Sequence, residues 1–152
     1  MGALKDQLQA DLTAAMKARD ELTTATLRML LTAVGTEEVA GKAARELSDD
    51  DVLKIVAKEA KKRREAATAF ADGGRADRAE RELAEERVLA GYLPAQLSDD
   101  ELHALVRAAV AETGASSPRD MGVVMKALVP KVAGRADGGR VSGAVKAALS
   151  AG

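Results

Sequence analysis

The sequence predicts an all-α protein, and three observations carry the prediction. Ala, Leu, Glu, Lys and Arg, the strong helix formers, dominate the 152 residues. Apolar residues recur at three- and four-residue spacing, and no segment alternates apolar with polar for long enough to make a strand. Ser or Asp before an acidic turn, and Gly or Pro after an apolar run, punctuate the chain as helix starts and stops. The expected architecture is an N-terminal bundle of about four helices over residues 1–93, then a smaller three-helix C-terminal module over residues 94–152.

Taken in order, the first helix is expected over Ala3 to Ala18, with Leu4, Leu8, Leu12 and Met16 as a narrow apolar stripe. Asp20 offers an N-cap to the second, whose face comprises Leu22, Ala25, Met29, Leu30, Ala33 and Val34, with Gly41 as its end. Ser48 followed by Asp49, Asp50 and Asp51 is close to a capping box, and the acids complement the positive end of the helix dipole. The third helix carries Val52, Ile55 and Val56 and ends near Phe70, before Asp72-Gly73-Gly74. The fourth, Ala76 to Ala90, alternates in charge as a solvated face does, with Leu83, Val88 and Leu89 as its apolar contacts.

Gly91 and Pro94 break the chain, and residues 92–97 form the expected module boundary. Ser98 with Glu101 is a full capping-box signature. The fifth helix then buries Leu102, Leu105, Val106, Ala109 and Val110 and ends at Gly114. Ser117 and Pro118 read as N-cap and first helical residue of a sixth helix, carrying Met121, Val124, Met125 and Leu128 and ending near Pro130. Residues 134–139 read as a loop, and a seventh helix has Val141, Val145 and Leu149 on one face. The helices after the two Ser-acid motifs differ, so these motifs are caps and not a duplication.

Composition narrows the function classes. Hydrophobic residues are 47% but aromatics only 1%, so the core is built of aliphatic and Ala side chains and is modest in area. Cysteine is absent, which excludes disulfides and thiolate metal sites. The first twelve residues lack the apolar stretch of a signal peptide, and no run approaches the roughly 18 apolar residues of a membrane span. The expected location is cytoplasmic, with no membrane partner.

No catalytic, cofactor or metal site is expected. The lone His103 has no nucleophile at an obvious turn and no cysteine with which to share zinc. The acids fall in first turns and charge-alternating faces. Residues 134–140, Gly-Arg-Ala-Asp-Gly-Gly-Arg, resemble a phosphate loop but lack the Lys-Ser/Thr ending and do not follow a strand.

Charge is more informative. The chain has a formal net charge of -1, yet residues from Ala115 onward hold six cations (Arg119, Lys126, Lys131, Arg135, Arg140 and Lys146) against Asp120 and Asp137. A basic patch of this kind attracts phosphates by counterion release, without reading DNA sequence. Without interleaved aromatics, base stacking on single strands is excluded, and folded or duplex RNA gripped by its backbone fits better. The expected RNA-binding residues are Lys126, Lys131, Arg135, Arg140 and Lys146. A second basic run, Lys61-Lys62-Arg63-Arg64, points around much of a helix and reads as a solvated surface. The alternative is a protein-interaction module that docks a partner through the N-terminal helices.

Ala15-Met-Lys-Ala-Arg-Asp20, Thr26-Leu-Arg-Met-Leu30, Lys58-Glu-Ala-Lys-Lys-Arg-Arg-Glu65, Glu82-Leu-Ala-Glu-Glu86 leading into Tyr92-Leu-Pro94, Asp120-Met-Gly-Val-Val-Met125 and Gly134-Arg-Ala-Asp137 together resemble the YqeY family, in order and over nearly the whole chain. The resemblance implies a C-terminal module related to the tail of GatB, a component of the glutamyl-tRNA(Gln)/aspartyl-tRNA(Asn) amidotransferase. That tail contacts the outer corner of tRNA. The resemblance also implies a description as a carbon–nitrogen ligase with glutamine as amido donor, although the residues offer no nucleotide or metal site for such chemistry. Gly143, inside the last helix, is expected to mark a close helix contact or a frayed end.

Overall fold

The computed structural model describes residues 2–151 and is all-α. The described residues form α1 (Ala3–Lys17), α2 (Glu21–Glu38), α3 (Asp49–Asp72), α4 (Ala76–Ala90), α5 (Asp99–Thr113), a 3₁₀ turn (Pro118–Asp120), α6 (Met121–Val132) and α7 (Gly138–Ala151). Contacts gather into two units, one ending at Leu93 and the other beginning at Pro94. In the first, α3 and α4 pair most extensively, and α2 packs against α1, α3 and α4. In the second, α5, α6 and α7 pack against one another in all three pairings.

The caps follow the sequence. Asp20 accepts from Thr23 N–H at 3.0 Å. Ser48 with Asp51 and Ser98 with Glu101 both form reciprocal capping boxes. Three helices end on a residue in the left-handed region: Gly74 (φ 78) after α3, Gly114 (φ 70) after α5 and Arg19 (φ 57) after α1. In α3 the closing bonds run from Arg75 N to Phe70 O and from Gly74 N to Ala71 O, the paired bonds of a Schellman motif. α1 repeats them, from Asp20 N to Ala15 O and from Arg19 N to Met16 O. Glycine normally takes this position because it has no Cβ to strain, and α1 places an arginine there.

Several boundaries and faces differ from the sequence expectation. α2 stops at Glu38, before Gly41, because Val39 and Ala40 close the turn with bonds to Thr36 O and Glu37 O. α3 continues two residues past Phe70. α6 passes through Pro130 to Val132: the proline lies in the last turn, and Val132 is held in the core. Gly138 and Gly139 are helical, not loop, since the Asp137 carboxylate accepts from Arg140 N–H at 3.0 Å and starts α7. Gly143 has open space where a Cβ would be, inside the continuous α7, so it does not mark a close helix contact. In α1, Leu8 and Ala15 are buried while Met16 is exposed. In α2 the buried side chains are Thr26, Leu27, Leu30 and Val34, an arc turned away from Leu22 and Ala25 by packing on three neighbours. Leu83 is exposed on α4.

The largest departure is between α3 and α4, where charges expected on solvated faces turn inward. Glu59, only 6% exposed, sits beside Lys62 at 3.0 Å and Arg63 at 3.8 Å. Arg63 also reaches Glu82 at 3.4 Å and Glu85 at 3.6 Å, and Arg64 reaches Glu86 at 3.1 Å. Arg81 bridges Glu85 at 3.1 Å and Glu21 of α2 at 2.8 Å. Small residues, Ala60, Ala67 and Ala79, are buried nearby along the two helices. Their short side chains permit close approach and bury little area. Paired charges therefore hold much of this hairpin, and the aliphatic core clusters at Leu8, Leu27, Leu30, Val34, Val52, Val56 and Leu89.

Tyr92 closes the first unit by donating its phenol to Asp11 at 2.5 Å. Burial, reinforced by the Asp11 charge, pushes the phenol pKa up. The neutral phenol is thus favoured by folding: its contribution is complete below the ordinary phenol pKa near 10 and declines as pH rises above it. Tyr92→Phe is expected to lose about 1–2 kcal/mol at neutral pH and to lose less on going from pH 8 to 11 than the parent does. Urea unfolding at the two pH values measures both.

Candidate nucleic-acid interface

The second unit buries Leu97, Leu102, Val106, Ala109, Val124, Leu128, Val132, Val141, Val145 and Leu149. This aliphatic core fixes the outward faces of its three helices. On α6, Lys126 is exposed, with Val123 and Val129, 56% and 55% exposed, three residues to either side on the same face. On α7, Lys146 is exposed. Neither lysine has an ion-pair partner among the described residues, and neither do the exposed Arg107 of α5 and Arg119 of the 3₁₀ turn.

The other three predicted contacts are differently placed. Lys131 is exposed but pairs with Glu112 of α5 at 3.1 Å. Arg135 and Arg140 are half-buried and fasten the α6–α7 connection to the segment that leads into α5. Arg135 Nε donates to Ala95 O at 3.2 Å, and its own carbonyl accepts from Leu97 N–H at 2.8 Å. Arg140 donates to Leu97 O at 3.0 Å and to Asp99 Oδ1 at 2.9 Å. Gln96 adds a bond to Gly134 O at 2.8 Å. Gly134 has φ 73, which suits glycine, and Pro94 lies 3.5 Å from where a Cβ would stand. The loop that resembled a phosphate cradle is thus a clasp within this unit.

Electrostatics follows the same division. Seven cations face six acids over residues 94–152, so the unit is only weakly basic as a whole. Three of the acids, Asp99, Asp100 and Glu101, gather in the first turn of α5. The Ser98 N–H and hydroxyl, with Arg135 nearby, hold the Glu101 carboxyl below its usual range. The unpaired positive charge therefore rests on Lys126, Lys146, Arg107 and Arg119. Arg107 was missed from the sequence because it precedes the basic stretch, and no local signal separates a free arginine from a paired one.

Arg140→Ala is expected to destabilise by about 1–2 kcal/mol through loss of the two bonds to Leu97 and Asp99, while Lys126→Ala stays within about 0.5 kcal/mol of the parent. Thermal unfolding of the two variants checks the difference.

His103 is exposed on α5. Among the described residues, no three His, Asp or Glu side chains gather so as to hold a metal ion. No helix among them is long and apolar enough to cross a membrane.

Fold and surface together define an all-helical protein of two units, the second of which offers cations unpaired among the described residues on helices packed around one aliphatic core. The chain belongs to the YqeY family, described as Yqey-like protein, whose sequence profile matches residues 5–149. No curated protein is significantly similar to it in sequence.

Proposed function

We propose that this chain is a tRNA-binding accessory protein of tRNA-dependent amidation, which grips folded RNA through its C-terminal unit. The observation that carries the reading is the pair Lys126 and Lys146: both exposed, both unpaired among the described residues, on helices fixed by one core. Lysine ammonium groups free of internal partners release counterions from RNA phosphates at little cost to the fold. Val123 and Val129 beside Lys126 give apolar surface for ribose edges. The relation to the GatB tail that the YqeY resemblance implies supports tRNA as the folded RNA and a link to a glutamine-dependent carbon–nitrogen ligase. The chain's own residues are given no catalytic role in that reaction.

The test is binding of the full chain to transcribed tRNA, followed by fluorescence anisotropy between 50 and 200 mM salt. Affinity is expected to fall as salt rises, and Lys126→Ala is expected to lower the salt slope by about one. Absence of binding at 50 mM salt, or a slope that Lys126→Ala leaves unchanged, contradicts the reading.

A further inference from the structure

An open cleft of about 430 Å³ lies at the α1–α2 elbow, lined by Met16, Arg19, Glu21, Thr24, Ala25 and Arg28. Four of these, Glu21, Thr24, Ala25 and Arg28, stand at helical spacing on one face of α2. Arg19 comes from the turn between the helices.

We propose that this cleft binds a phosphate group. Three observations lead there. First, Arg19 and Arg28 have no ion-pair partner among the described residues, although most arginines of this unit are paired. Second, the nearby acids are already committed. Glu21 is held by both Arg81 amino groups at 2.8 and 3.0 Å, and Arg81 keeps its carboxyl below the usual range. Asp20 is spent on the Thr23 N–H and hydroxyl. Neither carboxylate forms an ion pair with Arg19 or Arg28 among the described residues. Third, Thr24 is half-buried, and among the described residues it is the one threonine whose hydroxyl has no hydrogen-bond partner.

Two guanidinium forks and a hydroxyl supply several donors, and the one carboxylate of the lining, Glu21, is already engaged by Arg81; the free donors are the complement of a phosphate dianion. Exposed Met16 and half-buried Ala25 offer an apolar wall to whatever carries the phosphate. The backbone agrees: Arg19 holds a left-handed conformation that Gly74 and Gly114 fill in the equivalent positions of α3 and α5. An arginine kept where glycine is less strained points to a task for its side chain.

The test is an NMR titration of the full chain, following the arginine Nε–H resonances as inorganic phosphate is added at constant ionic strength, with acetate as the comparison. Arg19 and Arg28 are expected to shift together on one saturable curve. Arg28→Gln and Arg19→Gly are each expected to weaken that binding about tenfold, as loss of one charge-assisted contact does. Arg19→Gly is expected to do so with Tm unchanged or raised, which a structural role for the side chain would not allow. Two sources can supply such a phosphate, an RNA backbone and a small phosphorylated molecule. If Arg28→Gln also weakens tRNA binding by the otherwise unaltered chain at 50 mM salt, the source is RNA; if tRNA binding is unaffected while phosphate binding falls, it is a small phosphate compound. Either supports the site, and neither depends on the C-terminal reading. Equal shifts at Arg107 and Arg119, or an equal response to acetate, would overturn it.

Discussion

Arg63→Ala is expected to cost the first unit about 3 kcal/mol, the largest effect of any charged residue in the chain. Arg63 is 19% exposed and stands among Glu59, Glu82 and Glu85, whose side chains are 8, 14 and 13% exposed. Removing it leaves three carboxylates crowded together with little water. Lys62 reaches Glu59, and Arg81 reaches Glu85, but Glu82 loses its closest cation. The cost is therefore that of unpaired charge rather than lost packing alone. The side chain also carries a desolvation cost of its own: its Nε is buried without a hydrogen-bond partner among the described residues. An apolar replacement of the group as a whole escapes the penalty. Arg63→Met with Glu59→Met and Glu82→Met is expected to recover most of the stability that Arg63→Ala loses, because no buried charge remains unpaired. Guanidinium chloride unfolding is unsuited to this comparison because it screens charge; urea unfolding measures it directly.

Leu128→Ala is expected to cost the second unit about 3 kcal/mol, within the usual range for a fully buried leucine. Leu128 is completely buried in α6, in a core with no aromatic residue to close around the cavity. The same helix holds Lys126 and Lys131. The variant is therefore expected to lose tRNA affinity as the unit loosens, although it removes no positive charge. Lys126→Ala should show the converse, weaker binding with unchanged stability. Urea unfolding and anisotropy on the two variants separate loss of frame from loss of contact.

What the sequence showed, and what it hid, divides by the range of the interactions. Helix starts were legible because a cap is local: Ser48 with Asp51, and Ser98 with Glu101, lie three residues apart and satisfy each other in the chain itself. The buried face of α7 was legible too, since Val141, Val145 and Leu149 are its only large apolar residues. The arc of α2 was not, because apolar residues surround that helix and its three neighbours choose which are covered. Charge alternation on α4 matched a solvated face equally well. Only the pairing with α3 turns Glu82, Glu85 and Glu86 inward. Of the predicted RNA contacts, Lys126 and Lys146 are free for a ligand, while Arg135 and Arg140 are held by backbone carbonyls about forty residues away in sequence. A one-dimensional charge count weighs all four alike. The α1–α2 cleft left no trace in the pattern, since the unpaired Arg19 and Arg28 and the unpartnered Thr24 hydroxyl are distinguished from their paired counterparts only in the folded chain.

The most direct measurement is the salt dependence of tRNA binding by the full chain and by its Lys126→Glu/Lys146→Glu variant. The parent is expected to bind at 50 mM salt with an affinity falling steadily towards 200 mM, and the variant to be equally stable but at least about tenfold weaker at the low-salt end. A variant that folds and binds tRNA as the parent does, across the whole series, would contradict the tRNA-binding reading.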